Sequence, residues 1–242
     1  MRQVLALAGL TALVLASAPS AEGVDAARPR VALSVSPARL VLAVPGSRAI
    51  KVRNDGAEQV AVDTTRRTVG GQALAKWLDI VPARVLLRAG ASAMLTLRAE
   101  PPQHAEPGDH HVFVLLTTRP LGGGRVNVQV RLGIHVRIVV PGRVVRRVTL
   151  GGLVVRKRLM FVSIANRGNV TIQLANRVTV LLARRGRHLA RLNAHVQRAL
   201  RPGAHTSLAL RYNGRLRGGL TAIVRIRLGS GIRVERRYPI RL

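Results

Sequence analysis

The sequence predicts an all-β protein, two tandem immunoglobulin-like β-sandwiches behind an N-terminal signal peptide. Three observations carry this. Short runs alternate apolar and polar residues with a period of two. Glycine and proline pairs punctuate those runs. The second half of the 242-residue chain repeats the order of the first at a nearly constant offset.

The chain opens with Met1-Arg2-Gln3 and an apolar run from Val4 to Ala18. One positive charge, a short apolar run and small residues at its end are the pattern of a secretory signal. The run is shorter than the roughly 20 residues that a membrane span needs. Ala18-Pro19-Ser20 or Ala21-Glu22-Gly23 supplies the small residues before a cut. The expected division is a signal peptide over 1–23, a linker over 24–30, one sandwich over 31–141 and a second over 142–242. No cysteine is present, so disulfides, thiolate metal sites and a lipid-anchored cysteine are excluded. The final run, Arg236 to Leu242, has no apolar tail or wall-sorting motif. The mature chain is expected to be soluble or held at the envelope without a covalent link.

Beyond the leader, strands follow one another. Ile50-Lys51-Val52-Arg53 and Leu95-Thr96-Leu97-Arg98 alternate, as do Val112–Leu116 and Ile223–Leu228. Such alternation places one face in a core and the other in water. Pro45-Gly46, Asn54-Asp55-Gly56, Gly70-Gly71, Pro107-Gly108-Asp109 and Gly122-Gly123-Gly124 supply the turns. The Asn-x-Gly turns suit positive φ. Only Asn193–Leu200 offers a short helix, stopped by Pro202-Gly203.

The repeat is the most informative feature. Leu87-Arg88-Ala89-Gly90-Ala91 returns as Leu200-Arg201-Pro202-Gly203-Ala204, 113 residues later at the glycine. Asn54-Asp55-Gly56 returns as Asn166-Arg167-Gly168 after 112, and Pro107-Gly108 as Gly218-Gly219 after 111. About 110 residues is the length of one immunoglobulin-like domain. Pro141-Gly142 marks the expected boundary.

Charge separates the two halves. The chain carries 40 basic and 10 acidic residues, a net +30, and all the basic residues but Lys51, Lys76 and Lys157 are arginine. Residues 31–141 hold 14 basic and 7 acidic side chains; residues 142–242 hold 23 and one, Glu235. The second half therefore projects a positive field that attracts polyanions and anionic surfaces.

The first half also resembles a known family. Ser34-Val35-Ser36-Pro37, Val44-Pro45-Gly46-Ser47 and Val52-Arg53-Asn54-Asp55-Gly56 follow in order. Trp77-Leu78, Val81-Pro82, Leu87–Gly90, Pro101-Pro102 and Glu106–Asp109 complete the pattern. Over about residues 31–141 this resembles exported bacterial domains of the pilus-chaperone-like (PapD-like) immunoglobulin superfamily. The nearest type is that of WxL-associated, peptidoglycan-binding surface proteins. The resemblance implies an envelope protein that binds wall material or another surface protein. Chaperones of this superfamily use paired basic residues to grip a client's terminal carboxylate, and Arg30 and Arg131 are the counterparts considered.

Two features are candidates for binding. In the first, Val126, Val128, Val130, Leu132, Ile134 and Val136 are apolar at alternate positions, continuing to Ile138 and Val140, with Arg125, Asn127, Gln129, Arg131, His135 and Arg137 between them. Fifteen residues span roughly 50 Å, so a kink at Gly133 is expected. Such a strand either lends an edge to a partner by strand addition or is a core strand with guarding arginines. The second is a set of basic clusters, Arg156-Lys157-Arg158, Arg184-Arg185 with Arg187, and Arg215 with Arg217. Arginine forks suit phosphate and carboxylate. These clusters bind a polyanion or form a solvated exterior.

Catalysis finds no support. His110 and His111 are adjacent and on a strand point to opposite faces. His188 and His195 have no neighbouring acid, and Asp55, Glu58, Asp63 and Asp79 lie in no catalytic motif. No catalytic residue, cofactor or metal is expected. Three aromatics, Phe161, Tyr212 and Tyr238, are too few for nucleic-acid stacking. Trp77, the sole tryptophan, either seals a core edge or offers a carbohydrate platform. Asn169-Val170-Thr171 is a glycosylation sequon without expected consequence in a bacterial protein. The leading expectation is a non-catalytic envelope protein that binds an anionic polymer, such as cell wall, or a secreted partner protein, with peripheral membrane contact compatible with its charge. The alternative is a periplasmic assembly chaperone acting by strand addition.

Overall fold

The computed structural model describes residues 29–68, 72–121, 128–175, 177–194, 199–212, 216–228, 231 and 233–242. The expected signal peptide, the Gly70-Gly71 and Gly122–Gly124 turns, Val126, His195 and Arg215 lie outside the described residues. The described residues form two β-sandwiches, each with its own apolar core.

In the first sandwich, one sheet runs β1 (Leu33–Ser36), β3 (Gly46–Asn54), β7 (Ser92–Ala99) and β5 (Leu78–Val81). The facing sheet runs β2 (Arg39–Ala43), β9 (Arg131–Val140), β8 (Gly108–Pro120), β4 (Val60–Thr68) and β6 (Arg84–Leu87). Alternate residues of β3, β7, β8 and β9 point inward, and Ile50, Val52, Leu95, Leu97, Val112, Val114, Ile134 and Val136 are fully buried. Trp77, at the end of a 3-10 turn over Gln72–Trp77, packs against this core and lies edge-on to His110.

The second sandwich repeats part of this plan, with its strands divided among three sheets. One sheet runs β10 (Val148–Arg156), β11 (Leu159–Asn166) and β16 (His205–Arg211), and β12 (Ile172–Gln173) pairs β15 (Ala199–Leu200) as a separate two-stranded sheet. The third runs β14 (Arg187–Asn193), β13 (Val178–Arg184), β17 (Gly219–Arg227) and β18 (Arg233–Arg241). The run Asn193–Leu200, read as a short helix, begins in β14 and ends in β15, with 195–198 outside the described residues.

The repeated motifs fold alike. Asn54 ends β3 and Asn166 ends β11, and both are fully buried. Asn54 Nδ2 donates to the carbonyls of Glu58, Leu87 and Arg88, and its Oδ1 accepts from Gly56 N–H. Asn166 Nδ2 donates to Val170 and Leu200, and its Oδ1 accepts from Gly168 N–H. Gly90 N–H donates to Asn54 O, and Gly203 N–H to Asn166 O, each glycine at φ +72°. Each asparagine thus stitches the end of one strand to the turn before β7 or β16. Gly108 and Gly219, the third repeated pair, open β8 and β17.

Gly56 and Gly168 are glycines for another reason than the positive φ expected of them. Neither is among the residues in the left-handed region. A Cβ on Gly56 would stand 2.7 Å from Arg30 O, and one on Gly168 2.1 Å from Val145 O. The chain leading into β1 or β10 passes too close for any side chain.

Replacing either asparagine with alanine strands several buried carbonyls without donors. Asn54→Ala and Asn166→Ala should each lower unfolding free energy by roughly 2–4 kcal/mol, read from urea midpoints. The two effects should be additive, because the sites share no partner.

Candidate functional site: an open strand edge beside a basic cleft

β9 has different neighbours along its two halves. On one side it pairs with β8 without a break, from Thr117↔Arg131 to Gly108↔Val140. The register runs straight through Gly133, so the expected kink is absent: Leu115 lies opposite Gly133 and keeps the ladder continuous. On the other side, β2 pairs in parallel only from Arg39↔His135 to Ala43↔Val139. The first half of β9 therefore has no hydrogen-bonded neighbour on that side among the described residues.

The alternation of backbone direction identifies the free groups. His135 N–H donates to Ala38 O, toward β2. Odd-numbered residues of β9 thus turn their backbone to that side and even-numbered ones to β8. Thr118 secures the second half of this statement: its N–H donates to Val130 O and its hydroxyl accepts from Val130 N–H. The open donors and acceptors belong to Gln129, Arg131 and Gly133. The even side chains Ile134 and Val136 fill the core, whereas Leu132 and Val130 are half-buried and Val128 is 47% exposed. Of the strand singled out by the sequence, Val128–Ile134 keeps an open edge among the described residues. Val136 does not, since Leu40 of β2 lies beside it. Val126 is outside the described residues.

The outward face of the same sheet forms one wall of a cleft of about 550 Å³ between the sandwiches. Arg39, Phe113, His135 and Arg137 come from the first domain, and Thr171 and Arg201 from the second. The Arg201 guanidinium lies 4.9 Å from the centre of the Phe113 ring. His111 and His135 stack with centroids 5.0 Å apart, Nδ1 of His111 lying 2.9 Å from Nε2 of His135. His111 Nε2 meets Thr171 Oγ1 at 2.9 Å, across the domain junction.

Asp109 anchors this junction. Its Oδ2 accepts from Thr171 N–H at 2.7 Å and from Arg137 Nη1 at 3.3 Å. Beside it, Asn169 Nδ2 donates to Pro107 O and Arg143 O, its Oδ1 accepts from Val145 N–H, and its carbonyl accepts from Asp109 N–H. The sequon asparagine is thus consumed by the junction. Gly108, at φ +128°, passes so near that a Cβ there would meet Asn169 O at 2.1 Å.

Titration follows from this packing. Burial, followed by the charges of His135 and Arg201, pushes His111 down to about 4, Asp109 opposing weakly. Burial and then Arg201, Arg39 and Arg137 lower His135. Burial would raise Asp109, but hydrogen bonds from Thr171 and the Arg137 charge outweigh it and lower the carboxyl. The cleft is cationic through arginine, with neutral imidazoles at neutral pH.

The two basic residues considered as carboxylate grips lie elsewhere. Arg30 pairs with Glu58 on the outside, and Arg131 bonds Gln129. Arg39, Arg137 and Arg201 face the cleft instead. A hairpin centred on Gly124 would have aligned His111 with Arg137 and Phe113 with His135, so that pairing was within reach of the sequence. The arrival of Arg201 from the second domain was not. Of the other basic candidates, Arg156 ends β10, Lys157 and Arg158 form its turn, Arg184 ends β13, Arg185 turns and Arg187 opens β14, and Arg217 precedes β17. All are exposed, and none faces the cleft.

No protein-family profile and no curated protein matches the chain. Solved structures do. The class 5 fimbriae chaperone CfaA matches at 13% identity with a TM-score of 0.54, over 87% of this chain and 98% of that one. The YadV chaperone matches at 13% and 0.51, over 86% and 99%. The E. coli chaperone DraB matches at 13% and 0.50, over 88% and 98%. The likeness spans both sandwiches and is one of fold, two immunoglobulin-like β-sandwiches in tandem.

Acid should loosen the junction. His111 binds a proton near 6.5 when unfolded and near 4 when folded. Between those values the unfolded state holds more protons, so stability falls as pH drops through the window. Asp109 acts in the same direction at lower pH. A loss of about 3 kcal/mol from pH 7 to pH 4 is expected in urea unfolding. His111→Gln should flatten much of that slope.

Proposed function

We propose that this protein is an exported, non-catalytic assembly chaperone. It holds a secreted or surface protein by strand addition to the open half of β9. The observation that carries this reading is the edge at Gln129, Arg131 and Gly133, which β2 leaves uncovered while Val128, Val130 and Leu132 present partly exposed apolar side chains. An added strand satisfies the free backbone groups, and those side chains fill the partner's incomplete core. The cleft adds a polar anchor. Arg39, Arg137 and Arg201 converge where a chain lying along β9 would place an end, and their forks suit a terminal carboxylate.

The fold likeness supports the reading, since the matched structures are chaperones and one, from Salmonella enterica, is a SafA pilin complex with the SafB chaperone. Export and a periplasmic location follow from the same reading and from the leader-like N-terminus. The polymer-binding alternative rests on charge and has no counterpart in the cleft.

Peptides of alternating valines with a free or an amidated C-terminus test it, with affinity read by fluorescence anisotropy. The free-acid peptide should bind more tightly, and Arg39→Gln or Arg137→Gln should erase that difference. Arg131→Pro should weaken both peptides about tenfold or more by removing an edge N–H, with Arg131→Gln as the charge control. The apolar part should persist at high salt. Binding that disappears with salt and ignores Arg131→Pro would defeat strand addition.

A further inference from the structure

The second sandwich is polarised along its length. Asn169 and Thr171 lie at the domain junction. β10 leaves that end at Val148, and β18 runs beside it in the same direction, joined where Arg236 Nη1 and the Tyr238 hydroxyl donate to the carbonyls of Leu150 and Gly151. Their far ends, Arg156 and Arg241, therefore lie at the same end of the sandwich. The β10–β11 turn at Lys157-Arg158, the β13–β14 turn at Arg185-Gly186 and the chain at Arg217 close this same distal end, where the Arg184 side chain donates to Arg217 O and the Tyr212 hydroxyl to Lys157 O.

Three properties of this end go beyond a general abundance of arginine. The one acidic side chain of residues 142–242, Glu235, sits near the opposite end, paired with Arg225, which is itself opposite Thr179 at the start of β13. Lys157 (φ +53°) and Arg185 (φ +47°) are the only non-glycine residues with positive φ among the described residues. Left-handed turn positions favour glycine or asparagine, so basic side chains are kept at two turn tips against local backbone preference. Finally, apolar side chains stand exposed among the charges. Leu159 is 37% exposed beside Arg158, and Leu189 is 42% exposed. Leu189 is the extra residue of a β-bulge, between the pairs Ala183↔His188 and Leu182↔Ala190, a feature that re-aims a side chain outward.

We infer that the distal end of the second sandwich docks on an anionic phospholipid surface. The basic residues meet lipid phosphates and the leucines enter the headgroup boundary, as amphipathic membrane contacts do. A blunt end with charges on separate turns and aliphatic residues between them fits a flat bilayer better than a linear polymer, which needs a track. Docking by this end leaves the cleft and the β9 edge, at the other end of the domain and beyond it, free to work. The inference does not depend on the chaperone reading.

Cosedimentation of the purified protein with phosphatidylcholine vesicles, with and without phosphatidylglycerol, tests it. Binding should require phosphatidylglycerol and weaken with salt. The variant Lys157→Asn, Arg158→Gln, Arg185→Asn, Arg187→Gln should lose affinity by about fivefold per charge, roughly several-hundred-fold in all. Asparagine suits positive φ, so its Tm should not fall. A control removing four first-domain charges (Arg48→Gln, Arg67→Gln, Arg88→Gln, Arg53→Gln) should bind nearly as well as the wild type. Equal loss in the control, absence of phosphatidylglycerol-dependent binding, or tip-dependent binding of soluble polyphosphate without vesicle binding would each overturn the inference.

Discussion

Asp109 and Asn169 tie the two sandwiches together through side chain-to-backbone bonds, and the cleft depends on that junction. Asp109 accepts from a backbone N–H of the second domain and an arginine of the first, while the Asn169 amide is saturated by three backbone groups spanning the junction. Both are short, stiff side chains bonded to backbone, so little rotamer freedom remains to blur the angle. Gly108 permits the approach, since any side chain there would strike Asn169. The same junction brings Arg201 over Phe113 and so supplies one wall of the cleft.

The molecule uses one β-module twice and gives each copy a different exposed feature. The buried asparagine, the close-passing glycine two residues later and the positive-φ glycine of the distant turn recur with the same bonds in both sandwiches. Such polar links inside an apolar core enforce one strand order, because leaving them unmade is costly. What differs is the periphery. The first copy leaves one side of half of β9 unpaired among the described residues. The second concentrates basic turns at its far end.

Much of this was legible in the residues. Alternation located the strands around Ile50–Arg53, Leu95–Arg98 and Ile223–Leu228, and the repeated Asn-x-Gly and Arg-x-Gly segments turned out to touch one another in each domain. The role assigned to Gly56 and Gly168 was less accessible: a glycine needed for close approach looks the same in sequence as one needed for positive φ. The β9 strand was visible as an alternating run, but which half of its edge is free depends on where β2 stops. The basic residues of the cleft were hidden for a similar reason. Arg39 and Arg137 come together through a parallel pairing, and Arg201 through a domain contact, whereas Arg30 stood out only because it lies near the start of the domain.

Local patterns determined the all-β class, the duplication and the charge difference between the halves, because period-two burial, turn chemistry and composition act within a few residues of one another. Tertiary structure alone decided that, among the described residues, an edge stays open over Val128–Ile134, that three arginines from two domains share a cleft, and that basic turns far apart in sequence close one end of a sandwich. Those features arise from register, sheet switching and domain contact, which join residues tens of positions apart and leave no periodic trace along the chain.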